Sequence, residues 1–406
     1  MWSISNLINN TSPVENINFS DGQAINVVRG PKGASFRLII NGFGFLDFTD
    51  TGHQPSGPHY WQLVINRNIY WYDGQGAINL TINYDGSYTV TGDGNNFFGT
   101  LIPFPVLSER DIINFNWMIK NNYIPYQNIQ DEPGKTIDEI KKLGVQYFPS
   151  FVYSFELAMS LYDWTTANFT RIDFLRLFTY TGVKNNPLDM DSISNGIWTA
   201  NWAPYTPSNK DYMNSFMMVP ARSLQDVQQQ LKEKENILYS NNLSEINIIT
   251  VALQSMPKTS CISIVKLYSG QVAISNLGSV HFATYFLELP ADSDSSLPSL
   301  QMPLVEALDS FIAEDKVITL KSFMSFTDSY EDAKHYSNGI VIIVAPADGA
   351  VIWDRVTYIT PLSDGPDKIE YLFQIDTQFK VLKTKTVLNK EKTLVEIYLQ
   401  IINESA

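Results

Sequence analysis

The chain has 406 residues, 28 basic and 42 acidic, so its formal net charge is 28 − 42 = −14. Hydrophobic residues make up 44% and charged residues 17%, a globular rather than a disordered composition, with length for two or three domains. The acidic balance argues against nonspecific binding to a nucleic-acid backbone or a polybasic membrane anchor. The single cysteine, Cys261, excludes an intrachain disulfide framework.

Residues 1–105 read as a β-rich domain. Ser35–Ile40, Tyr60–Ile65 and Asn68–Tyr72 are strand candidates. Ala77–Tyr84 alternates apolar and polar positions, and Asp85-Gly86 joins it to Ser87–Thr91. A two-residue Asp-Gly between β-prone runs is a hairpin signal. Short strands with frequent turns predict an antiparallel sandwich-like domain. Its aromatics Tyr60, Trp61, Tyr70, Trp71 and Tyr72 suit either a sheet interior or a binding surface.

Residues 106–153 read as a connector with a short helix over Thr136–Leu143. From Ser154 to Phe178, apolar residues at spacings of three and four predict a helix. Helices over Ser223–Tyr239 and Ser244–Ser255 follow, with Ser244 as N-cap of the second. After residue 260 the pattern returns to strands: Ile262–Tyr268, Ile318–Thr327, Gly339–Val344, Val351–Ile359, Glu370–Phe373 and Gln378–Leu382. A short helix over Ser329–Tyr336 interrupts them. The whole is α+β. His53, His59, His281 and His335 are scattered singly, so no metal site is expected. No apolar run reaches the roughly 18–20 residues of a transmembrane helix. The first residues lack the basic head and apolar stretch of a Sec signal peptide.

Four stretches in order resemble the bacterial mono-ADP-ribosyltransferase toxins, in the exoenzyme branch related to clostridial binary toxins. Tyr205-Thr206 and Tyr212-Met213-Asn214 are similar to the family's Tyr-Thr and Tyr-x-x-Asn. Leu267-Tyr268-Ser269-Gly270 is similar to its strand ending in Tyr-Arg-Gly, with serine for arginine. Phe323-Met324-Ser325-Phe326-Thr327, followed by Ala333, is similar to Phe-x-Ser-Thr-Ser. Lys368-Ile369-Glu370, with an apolar strand and Phe379-Lys380-Val381 after it, is similar to the family's Glu-x-Glu segment. Order and spacing carry the likeness, over residues 155–390.

The resemblance implies an ADP-ribosyltransferase fold over 154–406, helices followed by a split mixed sheet. It implies NAD as substrate, no metal, and transfer of ADP-ribose to a host protein. It assigns Glu370 to the ribose, where a carboxylate stabilises an oxocarbenium-like transition state. Ser325 would hold that carboxylate, with Thr327 keeping a hydroxyl beside it. Ser269, Tyr268, Phe323, Tyr205, Tyr212 and Asn214 fall at NAD-contacting positions. Lys368, Tyr358 and Asp364 fall at the acceptor-recognition loop. The protein would be secreted or injected and act in host cytoplasm, with residues 1–105 binding a target or a delivery component.

Two departures matter. Serine at 269 replaces a phosphate-binding arginine, and a lost charge-assisted contact costs about 1.5–3 kcal/mol. Arg222 and Arg355 are candidate substitutes. Lysine at 368 replaces Glu or Gln and would repel an arginine acceptor. Two other readings fit the same residues: an inactive scaffold of the same fold, and a lectin-like protein acting through residues 1–105.

Overall fold

The computed structural model describes residues 2–3, 14–18, 24–31, 35–40, 42–50, 61–66, 68–72, 78–83, 85–92, 95–121, 134–149, 151–168, 191, 194, 198, 221–271, 305–306, 308–320, 322–337, 339–389 and 392–402. The N-terminal strands are β1 (Trp2–Ser3), β2 (Val14–Asn18), β3 (Ala24–Arg29), β4 (Ser35–Ile40), β5 (Gly44–Asp50), β6 (Trp61–Ile65), β7 (Asn68–Tyr72), β8 (Asn79–Ile82), β9 (Ser87–Gly92) and β10 (Asn95–Thr100). Strands β2 to β7 form a six-stranded antiparallel meander, and β1-β8-β9-β10 form a second sheet. Asp85-Gly86 makes the expected hairpin, with Gly86 at φ 79° and Asp85 Oδ1 accepting from the Ser87 amide; Gly meets that positive φ without a Cβ penalty. Phe36, Leu38 and Ile40 share one apolar cluster with Leu80, Tyr88 and Val90.

Strand β4 is buried at all six positions, so both of its faces are covered. One face meets the four-stranded sheet. From the other, Ile39, together with Val28 and Phe45, enters the cluster built by the helices that follow.

Those helices are α1 (Glu109–Lys120), α2 (Ile137–Tyr147), α3 (Ser154–Asp163) and α4 (Leu224–Ser255). Ser108 caps α1, Thr136 and Glu139 form a capping box on α2, and Ser223 caps α4; each satisfies amides that have no partner inside the helix. Of the expected helix over Ser154–Phe178, the α-helix ends at Asp163 and continues as a π-turn, Trp164–Asn168, with a non-helical residue at Thr166, and positions 169–178 lie outside the described residues.

Two expectations are corrected here. The connector holds a helix, α1, that its mixed charged and apolar residues concealed. The two helices placed on either side of Ser240-Asn241-Asn242 are one, 32 residues long, about 48 Å at about 1.5 Å per residue. Of the polar residues that look like a break, Asn241 and Asn242 are buried and Ser240 is half-buried, and Asn114 of α1 donates to the Ser240 and Ser244 hydroxyls. Ser244 donates back to the Ser240 carbonyl rather than capping an N-terminus.

Beyond α4 lie β11 (Thr259–Ser260), β12 (Leu267–Gln271), β13 (Val317–Thr319), β14 (Met324–Phe326), α5 (Tyr330–Tyr336), β15 (Ile340–Ala345), β16 (Ile352–Trp353), β17 (Val356–Tyr358), β18 (Tyr371–Phe373), β19 (Gln378–Asn389) and β20 (Lys392–Ile401). A five-stranded sheet runs β12-β15-β20-β19-β13, with β15 and β20 parallel and the other pairs antiparallel. A three-stranded sheet runs β14-β18-β17. Ile342, Val344, Ile397 and Leu399 pack against Phe326, Trp353 and Phe373 between them. The stretch Ile318–Thr327, expected as one strand, is divided between the two sheets. The fold is therefore mixed α+β with several sheets. No helix among the described residues is long and apolar enough to cross a membrane.

The C-terminal carbonyls of α4 join the halves of the chain. Arg37 on β4 is 1% exposed, pairs through two nitrogens with Asp47 at 2.7 and 2.9 Å, and donates to the Gln254 carbonyl at 2.6 Å. Its guanidinium lies 3.8 Å from the Phe45 ring centroid. The next carbonyl back, Leu253, accepts from Thr357 on β17 at 3.1 Å. A helix C-terminus has unpartnered carbonyls and favours a cation. We expect Arg37→Ala to lower stability by about 3 kcal/mol, because it leaves the half-buried Asp47 and the Gln254 carbonyl without their partner; urea denaturation of the full chain measures this.

Candidate active site

The site forms where the two C-terminal sheets meet. Strand β14 pairs with β18 in the register Ser325↔Leu372, which sets Glu370 diagonally across from Ser325 on the same face. The Ser325 hydroxyl donates to Glu370 Oε1 at 2.5 Å across 45 residues of sequence. That is the length of a charge-assisted O–H to carboxylate bond. The Tyr268 and Thr327 backbones exchange two hydrogen bonds of 2.8 Å, which close β12 onto the end of β14. The stretches around Tyr268-Ser269, Ser325 and Glu370, far apart in the chain, thus meet at one place.

Trp164, which sequence reasoning passed over inside a longer predicted helix, completes the group. Its indole Nε1–H donates to Ser325 Oγ at 3.1 Å. Its ring is buried and packs edge-on to Phe323, with centroids 5.4 Å apart and planes at 75°. No local pattern in the sequence marks this role, since 161 residues separate the tryptophan from the serine. Thr360 is the second residue missed: its Oγ1 accepts the Glu370 amide at 2.7 Å.

Burial pushes the Glu370 carboxyl above its ordinary value of 4.5; hydrogen bonds from Ser325 and Trp164 and the charge of Lys368 pull it back. Withdrawal from water therefore outweighs the donors. A carboxylate in this position is poorly solvated, and its charge is available to whatever cationic group shares the site.

The other predicted residues fall in different places. Ser269 is buried, and its hydroxyl donates to the Ser325 carbonyl at 2.8 Å, tying β12 to β14. Thr327 Oγ1 accepts from the Ser329 amide at 3.3 Å, at the entry to α5. Phe323 is 3% exposed, in the apolar core against Trp164. Tyr268 stacks edge-on to Tyr330 of α5. Tyr358 lies 5.2 Å from the Tyr371 ring, and Lys368 is exposed. Asp364 turns inward, accepting from the Tyr162 hydroxyl at 3.0 Å while its amide donates to Thr165 Oγ1 at 2.8 Å. Tyr205, Tyr212 and Asn214 lie outside the described residues. Arg355 sits beside Gln374, at the end of the β17–β18 hairpin away from Glu370. There it lines a cavity of about 810 Å³ together with Arg37, Asp47 and Lys258. Arg222 is exposed just before α4. No group of three or more metal-ligating side chains occurs among the described residues.

The loop between β17 and β18 is fastened to the end of α3. Besides the two Asp364 contacts, Lys135 Nζ donates to the Ser363 carbonyl and its amide to the Tyr162 hydroxyl. Burial, and then the Asp364 charge, push the Tyr162 hydroxyl well above the usual tyrosine range, so it stays protonated and donates. Pro366, Asp367, Lys368 and Ile369 are exposed.

No family model and no curated protein matches this sequence. Solved structures with a similar arrangement include the ADP-ribosyltransferase HopU1 of Pseudomonas syringae, 13% identical, covering 40% of this chain and 56% of that one, at a TM-score of 0.28. This chain therefore spans little more than half the length of HopU1. An ADP-ribosyltransferase from Clostridium botulinum is 16% identical, covering 43% of this chain and 76% of that one, at 0.28. Exoenzyme S from Pseudomonas aeruginosa, in complex with human 14-3-3 protein beta and bound to carba-NAD, is 10% identical, covering 71% and 88%, at 0.33.

Because the folded chain holds the Glu370 proton more tightly than the unfolded one, ionisation opposes folding above pH 4.5. Glu370→Gln keeps an acceptor for Ser325 and removes the charge. Its thermal midpoint should exceed that of the wild type at neutral pH, and the difference should vanish as pH falls below 4.5; scanning calorimetry across that range measures it.

Proposed function

We propose that the chain is a toxin-like mono-ADP-ribosyltransferase that uses NAD as substrate. The observation that supports this best is the convergence of Ser269, Ser325 and Glu370 from three separate stretches, with Ser325 bonded to Glu370. These are the stretches that resemble the family in sequence.

In this reading the bond between nicotinamide nitrogen and ribose C1 breaks. Its electron pair goes to the nicotinamide, which leaves as a neutral ring. Positive charge grows on C1 and the ring oxygen, and the poorly solvated Glu370 carboxylate stabilises it while accepting from the ribose 2′-hydroxyl. A single such electrostatic contact is worth about 3–4 kcal/mol. A nucleophile of the acceptor then bonds to C1 and releases its proton. The exposed edge Pro366–Ile369 faces the acceptor, and Lys368 there excludes arginine. The acceptor is a host protein, reached after secretion or injection. The paired N-terminal sheets form a sandwich-like domain, and residues 1–105 engage a target or a delivery component.

One observation favours a second reading, an inactive scaffold of the same fold. Ser269 stands where the family carries its phosphate-binding arginine, and its hydroxyl is spent on the Ser325 carbonyl. NAD consumption by purified protein, with cell lysate as acceptor source, separates the two. The transferase reading expects turnover that Glu370→Ala abolishes without loss of folding. Absence of turnover, with no NAD binding by calorimetry, supports the scaffold.

A further inference from the structure

We propose that Trp164 is a positioning residue: its indole N–H fixes the Ser325 hydroxyl on Glu370, and the turn that carries it ties this pair to the loop between β17 and β18. The proposal rests on the reading of Glu370 as the reacting carboxylate.

The direction of the hydrogen bonds follows from donor chemistry. An indole N–H donates and never accepts, whereas a serine hydroxyl has one hydrogen and two lone pairs. With Nε1–H on one lone pair at 3.1 Å, Ser325 keeps its hydrogen for Glu370 Oε1 at 2.5 Å. The indole N–H reaches the carboxyl both through Ser325, whose bond it polarises, and by acting on Glu370 itself. The tryptophan is well held. It is 4% exposed, edge-on to Phe323, and sits at the start of a π-turn, a feature frequent at functional sites.

The same few residues grip the loop. The Tyr162 hydroxyl donates to Asp364, and Thr165 Oγ1, itself donating to the Tyr162 carbonyl, accepts the Asp364 amide. Thr360, at the head of that loop, receives the Glu370 amide. Residues 162–165 thus act on the carboxylate through Trp164 and Ser325 on one side and through the loop on the other. A shift of this turn moves the reacting carboxylate and the acceptor-facing edge together.

The test removes the N–H and keeps the ring. Trp164→Phe is the first variant; site-specific replacement of Trp164 by benzothienylalanine, with sulfur in place of the N–H, is the second and preserves ring size. Glu370 titration is followed by carboxyl-carbon NMR in the full chain, with Glu370→Gln assigning the resonance. Both variants should titrate at higher pH than the wild type. The acid limb of NAD consumption should move the same way, with kcat roughly tenfold lower and KM for NAD within about twofold. In a Ser325→Ala background either variant should have a smaller effect than in the wild type, because only the direct action of the indole N–H on Glu370 is left. An unmoved titration, or losses that add in full to those of Ser325→Ala, overturns the proposal. A wild-type chain that consumes no NAD rejects the transferase reading, and the carboxyl titration still decides whether Trp164 acts on Glu370.

Discussion

A carboxyl group withdrawn from water must find donors elsewhere, and the architecture around Glu370 meets that demand. Ser325 supplies one O–H, Thr360 holds the backbone beneath, and Trp164 keeps the serine turned the right way. Each sits on a different element: β14, the loop after β17, and the turn after α3. The site exists only where all three elements meet. The closure of β12 onto β14 through Tyr268 and Thr327, and the Ser269 hydroxyl on the Ser325 carbonyl, complete the frame.

The long helix α4 connects this frame to the N-terminal sheets. Its last carbonyls are shared between Arg37 of β4 and Thr357 of β17, and β17 lies beside the strand that follows Glu370. Because Val28, Ile39 and Phe45 lie in the same apolar cluster as Leu253, Phe323 and Leu372, the N-terminal sheet packs as a structural layer against the helices and the site-bearing strands. A sheet with both faces covered has little freedom to separate without exposing Arg37 and its neighbours to water.

The serine at 269 serves the frame. Its hydroxyl donates to the neighbouring strand and stiffens the element that carries Ser325. Asp364 is a similar case: placed in a loop that reads as acceptor-facing, it turns inward to Tyr162 and Thr165. In both, a polar side chain is consumed by local satisfaction, because a buried oxygen or amide without a partner costs about 1–3 kcal/mol.

Elements that depend on local periodicity and turn chemistry can be read from the residues alone. The Asp85-Gly86 hairpin, the strand at Ser35–Ile40, the helix at α5 and the apolar strand before Val344 were legible because propensity and pattern agree there. The pairing of Ser325 with Glu370 was legible through motif order. Features that depend on contacts between residues distant in sequence emerge with the folded chain. The polar break inside α4 vanished because Asn114 of α1 satisfies Ser240 and Ser244. The role of Trp164 arose because a π-turn aims an indole at a serine 161 residues away. Arg37, one polar residue in a strand candidate, became a buried partner of the α4 C-terminus because β4 is covered on both faces. Hydrogen-bond satisfaction in a buried site is a property of the folded neighbourhood, and no local pattern encodes which distant group will supply the partner.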